Sequence, residues 1–203
     1  MKKQVVIIHG GDTFDTYKEY LAYLKAEKID LNEKRYEREK DWKETLGKTL
    51  GKNFQIIYPQ MPSAGNAQFV AWKIWFEKLF PHLKNGVVLV GHSLGSIFLA
   101  KYLSENKFPK KIAATILVAA PYAVKGEKGM ADFILPKSLK LFEKQSEKII
   151  FYHSVDDPYV TFSDLKKYSK ALPTATLRIF KTRGHFIAPK FPEIVREIKN
   201  LEK

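Results

Sequence analysis

Six short runs of consecutive apolar, largely β-branched residues punctuate the chain: Val5 to His9, Phe54 to Tyr58, Val87 to Val90, Ile112 to Ala119, Ile149 to His153 and Ala175 to Phe180. Runs of this length without polar alternation are what strands buried on both faces require. Between them, apolar residues recur at helical spacing over Tyr17 to Ala26, Ala67 to Phe80, Ile97 to Ser104, Ser163 to Ala171 and Phe191 to Leu201. Each of these stretches predicts an amphipathic helix. Strands alternating with helices predict a three-layer α/β/α sandwich around a mostly parallel sheet of about six strands.

Two segments interrupt the alternation. Residues 28–53 are densely charged, with opposite signs interleaved from Glu33 to Lys40 and sparse apolar positions such as Leu31, Tyr36, Trp42, Leu46 and Leu50. That pattern predicts a charged helical insertion on the surface, packed at the edge of the sheet. Residues 122–146 follow the fourth strand and carry Gly126, Gly129 and Pro136 among aromatic and aliphatic side chains. A small lid is expected there, too short to be a cap domain. With no repeat, low-complexity tract or linker in 203 residues, the whole chain is expected to form one domain.

Composition narrows the picture modestly. The chain has no cysteine, which excludes disulfides, thiolate metal sites and a cysteine nucleophile, and is compatible with a reducing cytoplasm. The first apolar run is too short for a signal peptide, and no apolar stretch reaches the roughly 20 residues of a membrane span. A cytoplasmic protein without a membrane span is therefore expected. The net charge of +13 invites an anionic partner, but residues 1–60 are nearly balanced and the remainder spreads its excess thinly, almost all of it as lysine. A solvated lysine-rich surface accounts for this better than a nucleic-acid interface.

The chemistry concentrates at Gly86 to Ala100, where an apolar run leads into Gly91-His92-Ser93-Leu94-Gly95 and then into helical spacing. A serine on a tight strand-to-helix turn needs glycine two residues before and after it, because larger side chains would strike the neighbouring backbone. Ser93 is the candidate nucleophile. A serine hydroxyl is a weak nucleophile, so it needs a base, and the base needs a carboxylate to orient it. His185, in a loop directly after the last expected strand, is the candidate base. His9, His82, His92 and His153 are less suitably placed. The acid should follow the fifth strand, where Asp156 and Asp157 are adjacent. Asp157 is favoured for its spacing to Val160, with Asp156 as the alternative. His9-Gly10-Gly11 after the first strand fits a loop that supplies an oxyanion-binding amide, so Gly11 N–H is expected to act with Leu94 N–H.

A substrate pocket is expected among His9, His92, Met61, Trp72, Tyr122 and Phe186, although core packing is the stronger expectation for Trp72 and Trp75. Neither metal-ligand spacing nor a phosphate-binding glycine loop is present, so no cofactor and no metal are expected.

The elbow at 91–93, the Met61-Pro62 pair followed by a tryptophan-bearing helix, the Asp-Asp-Pro loop at 156–158 and the Gly-His-Phe loop at 184–186 resemble the small serine hydrolases related to retinoblastoma-binding protein nine, within the α/β-hydrolase superfamily. The resemblance covers most of the chain. It implies an α/β-hydrolase fold, an esterase-like activity with little lid, and a triad on Ser93, Asp157 and His185. Two features depart from the group: the length of the charged insertion and the His9-Gly10-Gly11 loop. The expected function is hydrolysis of carboxylic esters, aromatic or polymeric ones included, through an acyl-enzyme. Amide or peptide hydrolysis on the same triad is the second reading. A non-catalytic binding module that uses its basic surface is the rival from another class.

Overall fold

The computed structural model describes residues 2–28 and 41–201. All six apolar runs are strands: β1 Lys3–Ile8, β2 Phe54–Ile57, β3 Val87–His92, β4 Ile112–Val118, β5 Ile149–Ser154 and β6 Thr176–Phe180. They form one sheet in the order β2-β1-β3-β4-β5-β6, and every neighbouring pair is parallel. The central strands are apolar throughout because both faces are covered. Alternate residues of β1 and β3 serve two separate cores, with Val6, Ile8, Val87 and Leu89 on one side and Val5, Ile7, Val88 and Val90 on the other.

Helices α3 (Phe69–Glu77), α4 (Leu94–Glu105), α5 (Lys140–Gln145) and α6 (Phe162–Ala171) supply the first core, through side chains such as Trp72, Phe76, Phe98, Phe142 and Tyr168. Helices α2 (Trp42–Leu50) and α7 (Pro192–Asn200) supply the second, through Trp42, Leu46, Leu50, Ile194 and Ile198. The expected three-layer sandwich is thus the observed one. Helix α1 (Tyr17–Ala26) buries no residue and takes no part in either core. It begins with a capping box in which Thr16 Oγ1 accepts from Glu19 N and the Glu19 carboxylate accepts from Thr16 N. Among the described residues, no helix is long and apolar enough to cross a membrane.

The two interrupting segments differ from their expectations. Of the charged insertion, residues 29–40 lie outside the described residues. Its second part, α2, is no surface helix: Trp42, Lys43, Leu46 and Leu50 are buried against one face of the sheet beside β2. The reason is geometric. Residues 42, 46 and 50 recur every four positions and make a narrow continuous stripe, which the surrounding charges conceal in the composition. Gly47 permits the approach, since a Cβ there would lie 3.0 Å from Ile56 Cγ1. The segment 122–146 is exposed continuously over residues 125–129 and at scattered positions beyond them. Its second half is packed: Phe133, Leu135, Leu139 and Phe142 are buried, and Gln145 Nε2 donates to the carbonyls of Leu103 and Asn106.

From β1 the chain runs outward to β2, then returns past β1 to β3 and continues to β6. The winding direction therefore reverses between β1 and β3. At such a point the connections leave the two carboxyl ends in opposite directions and open a crevice, which is where parallel α/β sheets bind their ligands.

Leu46→Ala should lower the free energy of unfolding by about 2 to 5 kcal/mol, as a buried leucine truncation does. Leu24→Ala on α1, at 47% exposure, should shift it by less than about 0.5 kcal/mol. Urea denaturation of the two variants checks the pair, and a large loss from the α1 change would contradict the packing described.

Candidate active site

Ser93 joins β3 to α4 with φ 54° and ψ −122°, a backbone conformation that costs a non-glycine residue about 1 to 3 kcal/mol. The two flanking glycines are there for space. A Cβ on Gly91 would lie 2.6 Å from Gly95 O and from Ser96 Cα, and one on Gly95 would collide with the carbonyl oxygens of Ile8 and His9. Helix α4 therefore starts in contact with the end of β1. The elbow is also tied to β4: Ser93 N donates to Val118 O at 2.9 Å, while Ser96 Oγ donates to Val118 O and accepts from Val118 N.

The loop after β1 faces this elbow. A Cβ on Gly10 would sit 3.1 Å from Ser93 Cβ and 3.6 Å from Ser93 Oγ. The loop is anchored on its other side by Asp12 N donating to Ala64 O, Ala67 N to Asp12 O, and Thr13 Oγ1 to Ala67 O. His9 fixes the peptide between the glycines. Its Nε2 accepts from Met61 N at 2.8 Å, so its proton is on Nδ1, which donates to Gly10 O at 2.5 Å. Burial lowers the His9 pKa against the opposing pull of that carbonyl, with the Lys43 charge lowering it further. A neutral ring with one defined donor results. Because carbonyl and N–H point opposite ways across a trans peptide, holding the Gly10 carbonyl turns Gly11 N–H away from His9. Among the described residues, no backbone carbonyl accepts from Gly11 N or Leu94 N.

On the far side of the elbow, His185 Nδ1 donates to both carboxylate oxygens of Asp157, at 2.9 and 3.0 Å. The Asp157 side chain is fully buried and that of His185 only 11% exposed. Burial alone would raise the Asp157 pKa, but hydrogen bonds from His185, Val160 N and Tyr159 N outweigh it and hold the carboxyl below its usual range. Asp156, the alternative acid, does something else. It accepts from Ser154 Oγ and from Gly184 N at 2.9 Å, and Ser154 Oγ accepts from Arg183 N. Asp156 thus steadies the loop that carries His185, and Asp157 is the carboxylate that meets the imidazole.

The family model described as serine hydrolase matches residues 34–190. The chain belongs to the serine hydrolase family. The rat serine hydrolase RBBP9 is 27% identical to it over 151 residues, covering 73% of this chain and 78% of the rat protein. Among solved structures, the ydeN gene product of B. subtilis superposes with a TM-score of 0.77 at 19% identity, covering 99% of both chains. The 2-hydroxy-6-oxo-6-phenylhexa-2,4-dienoate hydrolase of Rhodococcus superposes at 0.67 with 11% identity, covering 99% of this chain and 90% of the other. At these identities the likeness is one of fold, the α/β-hydrolase fold.

The residues expected to line a pocket in this serine hydrolase are distributed differently. Met61, Trp72 and Phe186 are buried, with Trp72 Nε1 donating to Pro62 O and its ring against Phe98 and Phe133. Trp72 packs in the core, as expected, whereas Trp75, expected there too, is exposed on the outer face of α3. Tyr122 is half-buried, edge-on to Tyr168 at 4.8 Å. His9 and His92 hold backbone, His92 through Nε2 on the His185 carbonyl at 2.8 Å. A cleft of about 910 Å³ is lined by residues including Phe14, Tyr17, Tyr20, Asn66, Gln68 and Asp132, several of which follow the β1 loop or its anchor at residues 64–67. Sequence reasoning missed this cleft and Tyr159, whose exposed ring stands edge-on to His185 at 5.0 Å. A usable signal existed for the cleft: aromatic residues at 14, 17, 20 and 23 recur every three positions.

A carboxyl with a depressed pKa stabilises the fold above the unfolded value of about 3.9 and ceases to do so as pH falls through the lower folded value. Asp157→Asn should therefore be less stable than the parent at pH 7, with the gap closing in the acid range below about pH 3.9. Urea midpoints measured from pH 7 down to pH 3 test this. A gap that widened on acidification would contradict the hydrogen bonding described.

Proposed function

We propose that this serine hydrolase is a carboxylesterase-type enzyme working through Ser93, His185 and Asp157. One observation carries the reading above the others. The Asp157 carboxylate occupies Nδ1 of His185, which leaves Nε2 as the nitrogen that can accept a proton, and the imidazole stands 4.9 Å, centroid to centroid, from that of His92, the neighbour of Ser93 in the chain.

Acyl transfer then proceeds in two halves. Nε2 of His185 takes the hydroxyl proton as Ser93 Oγ attacks the ester carbonyl. The oxyanion is met by Gly11 N–H and Leu94 N–H, the second lying at the positive end of α4. Imidazolium, stabilised by the Asp157 carboxylate, returns the proton to the departing alcohol. Water repeats the sequence on the acyl-enzyme and frees the acid. An ester suits this site better than an amide, because an alkoxide leaves with less help from a proton than an amine does. Uncharged esters suit it better than anionic ones. The neighbouring cleft is lined by the carboxylates of Asp15 and Asp132, aromatic rings, hydroxyls and amides and, among the described residues, by no lysine or arginine, in a chain of net charge +13.

The wild-type protein should be labelled by a fluorophosphonate and should hydrolyse p-nitrophenyl esters, with the fall in rate along a series of acyl chain lengths measuring the acyl site. Ser93→Ala should abolish labelling. His185→Ala should lower kcat by about ten-thousandfold or more while the far-ultraviolet circular dichroism stays that of the parent. Folded wild-type protein that resists labelling would overturn the proposal.

A further inference from the structure

The turn that carries His185 is left-handed on both sides, at no cost for the glycine and under strain for the phenylalanine. Gly184 has φ 52° and Phe186 has φ 53°, and for a phenylalanine that conformation has to be held in place by its surroundings. Two of the holding bonds come from the β5–α6 connection, through Asp156 and Ser154. The other two come from Trp42 and His92, and both lead to the first turn of α2, an element the acyl-transfer chemistry does not use. Trp42 Nε1 donates directly to Phe186 O at 2.8 Å. Lys43 acts one step removed: its Nζ lies 3.4 Å from Nδ1 of His92, and Nε2 of His92 contacts His185 O at 2.8 Å.

Lys43 is unusual in being a buried lysine, at 5% exposure, in a chain whose surface is crowded with them. Its ammonium pairs with the Asp41 carboxylate, which also caps α2 by accepting from Lys43 N, so the charge is compensated. An ammonium has three donors and no acceptor. The nitrogen of His92 that faces it must therefore present a lone pair, and the single proton of a neutral His92 must sit on Nε2, where it can reach the His185 carbonyl. The opposite tautomer would set two donors against each other at Lys43 and two lone pairs against each other at His185. Burial first, and the Lys43 charge next, keep the His92 pKa far below its ordinary value, in keeping with a neutral ring.

We propose that Lys43 is a positioning residue for the base: it selects the Nε2–H tautomer of His92, and that N–H grips the His185 carbonyl and fixes the turn from which the imidazole projects. The proposal rests on the reading of His185 as the general base. It extends the active site to α2, on the opposite face of the sheet from the α4 body, and gives the second residue of the Gly-His-Ser elbow a defined task.

Lys43→Met keeps the length and apolar bulk of the side chain and removes its donors. In this variant kcat for a p-nitrophenyl ester and the second-order rate of fluorophosphonate labelling should both fall between about 10-fold and 100-fold, as small displacements of a catalytic group do. KM and the melting temperature should hold. Lys43→Arg, again a side chain with donors only, should recover most of the rate. Nitrogen-15 NMR of the wild-type imidazoles should show His92 protonated on Nε2 at neutral pH, with Nδ1-protonated ring appearing in Lys43→Met. A Lys43→Met protein with the parental rate per labelled site, or a wild-type His92 that carries its proton on Nδ1, would overturn the proposal. Should both variants fail to fold, the wild-type spectrum decides alone. Failure of the wild-type protein to label at all would instead remove the esterase reading, which makes the two failures separable.

Discussion

The site depends first on a close approach between backbones. Helix α4 begins against the carbonyl oxygens of Ile8 and His9, with no room for a Cβ at Gly95 and none at Gly91 beneath it. That contact brings the end of β1 and the start of α4 together, and the rest of the site follows from it. With β1 and β3 paired in parallel, Ile8 opposite Gly91, the loops that leave their carboxyl ends must emerge side by side. Gly10 is thereby set against Ser93, and the amides of Gly11 and Leu94 are left without backbone partners among the described residues. The left-handed backbone at Ser93 is the strained consequence, and the bonds to Val118 keep it from relaxing.

A second strained residue, Phe186, is handled differently. Where the elbow is held by the sheet itself, the turn bearing His185 is held by side chains reaching from three places: Ser154 and Asp156, the indole of Trp42, and His92. Several of these donors and acceptors are buried, where an unmatched polar group is costly. The arrangement therefore has few alternatives once the chain is folded. It also explains why three histidines cluster here with separate tasks. His9 aims a peptide, His92 holds a carbonyl and His185 is bound to a carboxylate, each with its tautomer set by the partner on one nitrogen.

Much of this was legible in the chain. Apolar runs located all six strands, because strands covered on both faces cannot hide their composition, and the glycines flanking Ser93 announced a steric need that no other residue meets. The order of serine, aspartate and histidine followed from the order of strands. Two things escaped. Helix α2 looked like surface because a stripe of one residue in four is drowned by charged neighbours. The aromatic cleft escaped although the aromatic spacing at 14, 17 and 20 marks one wall, because its other walls come from residues 63–68 and 131–132, which are remote in sequence. Asp157 was favoured over its neighbour Asp156 by its spacing to Val160, and the structure supplies its contact with His185.

By itself, then, the amino-acid sequence determined the layered fold, the tight strand-to-helix turn at Ser93 and the serine hydrolase family, since each is written in local periodicity or in a steric requirement confined to a few consecutive residues. The bond from Asp156 to the His185 loop, the burial of Lys43 beneath His92 and the lining of the cleft were decided only by the tertiary structure. Each depends on which side chains from distant segments share one desolvated volume, and the free energy that selects among them, hydrogen bonding in the absence of water, does not exist until the chain has closed around it.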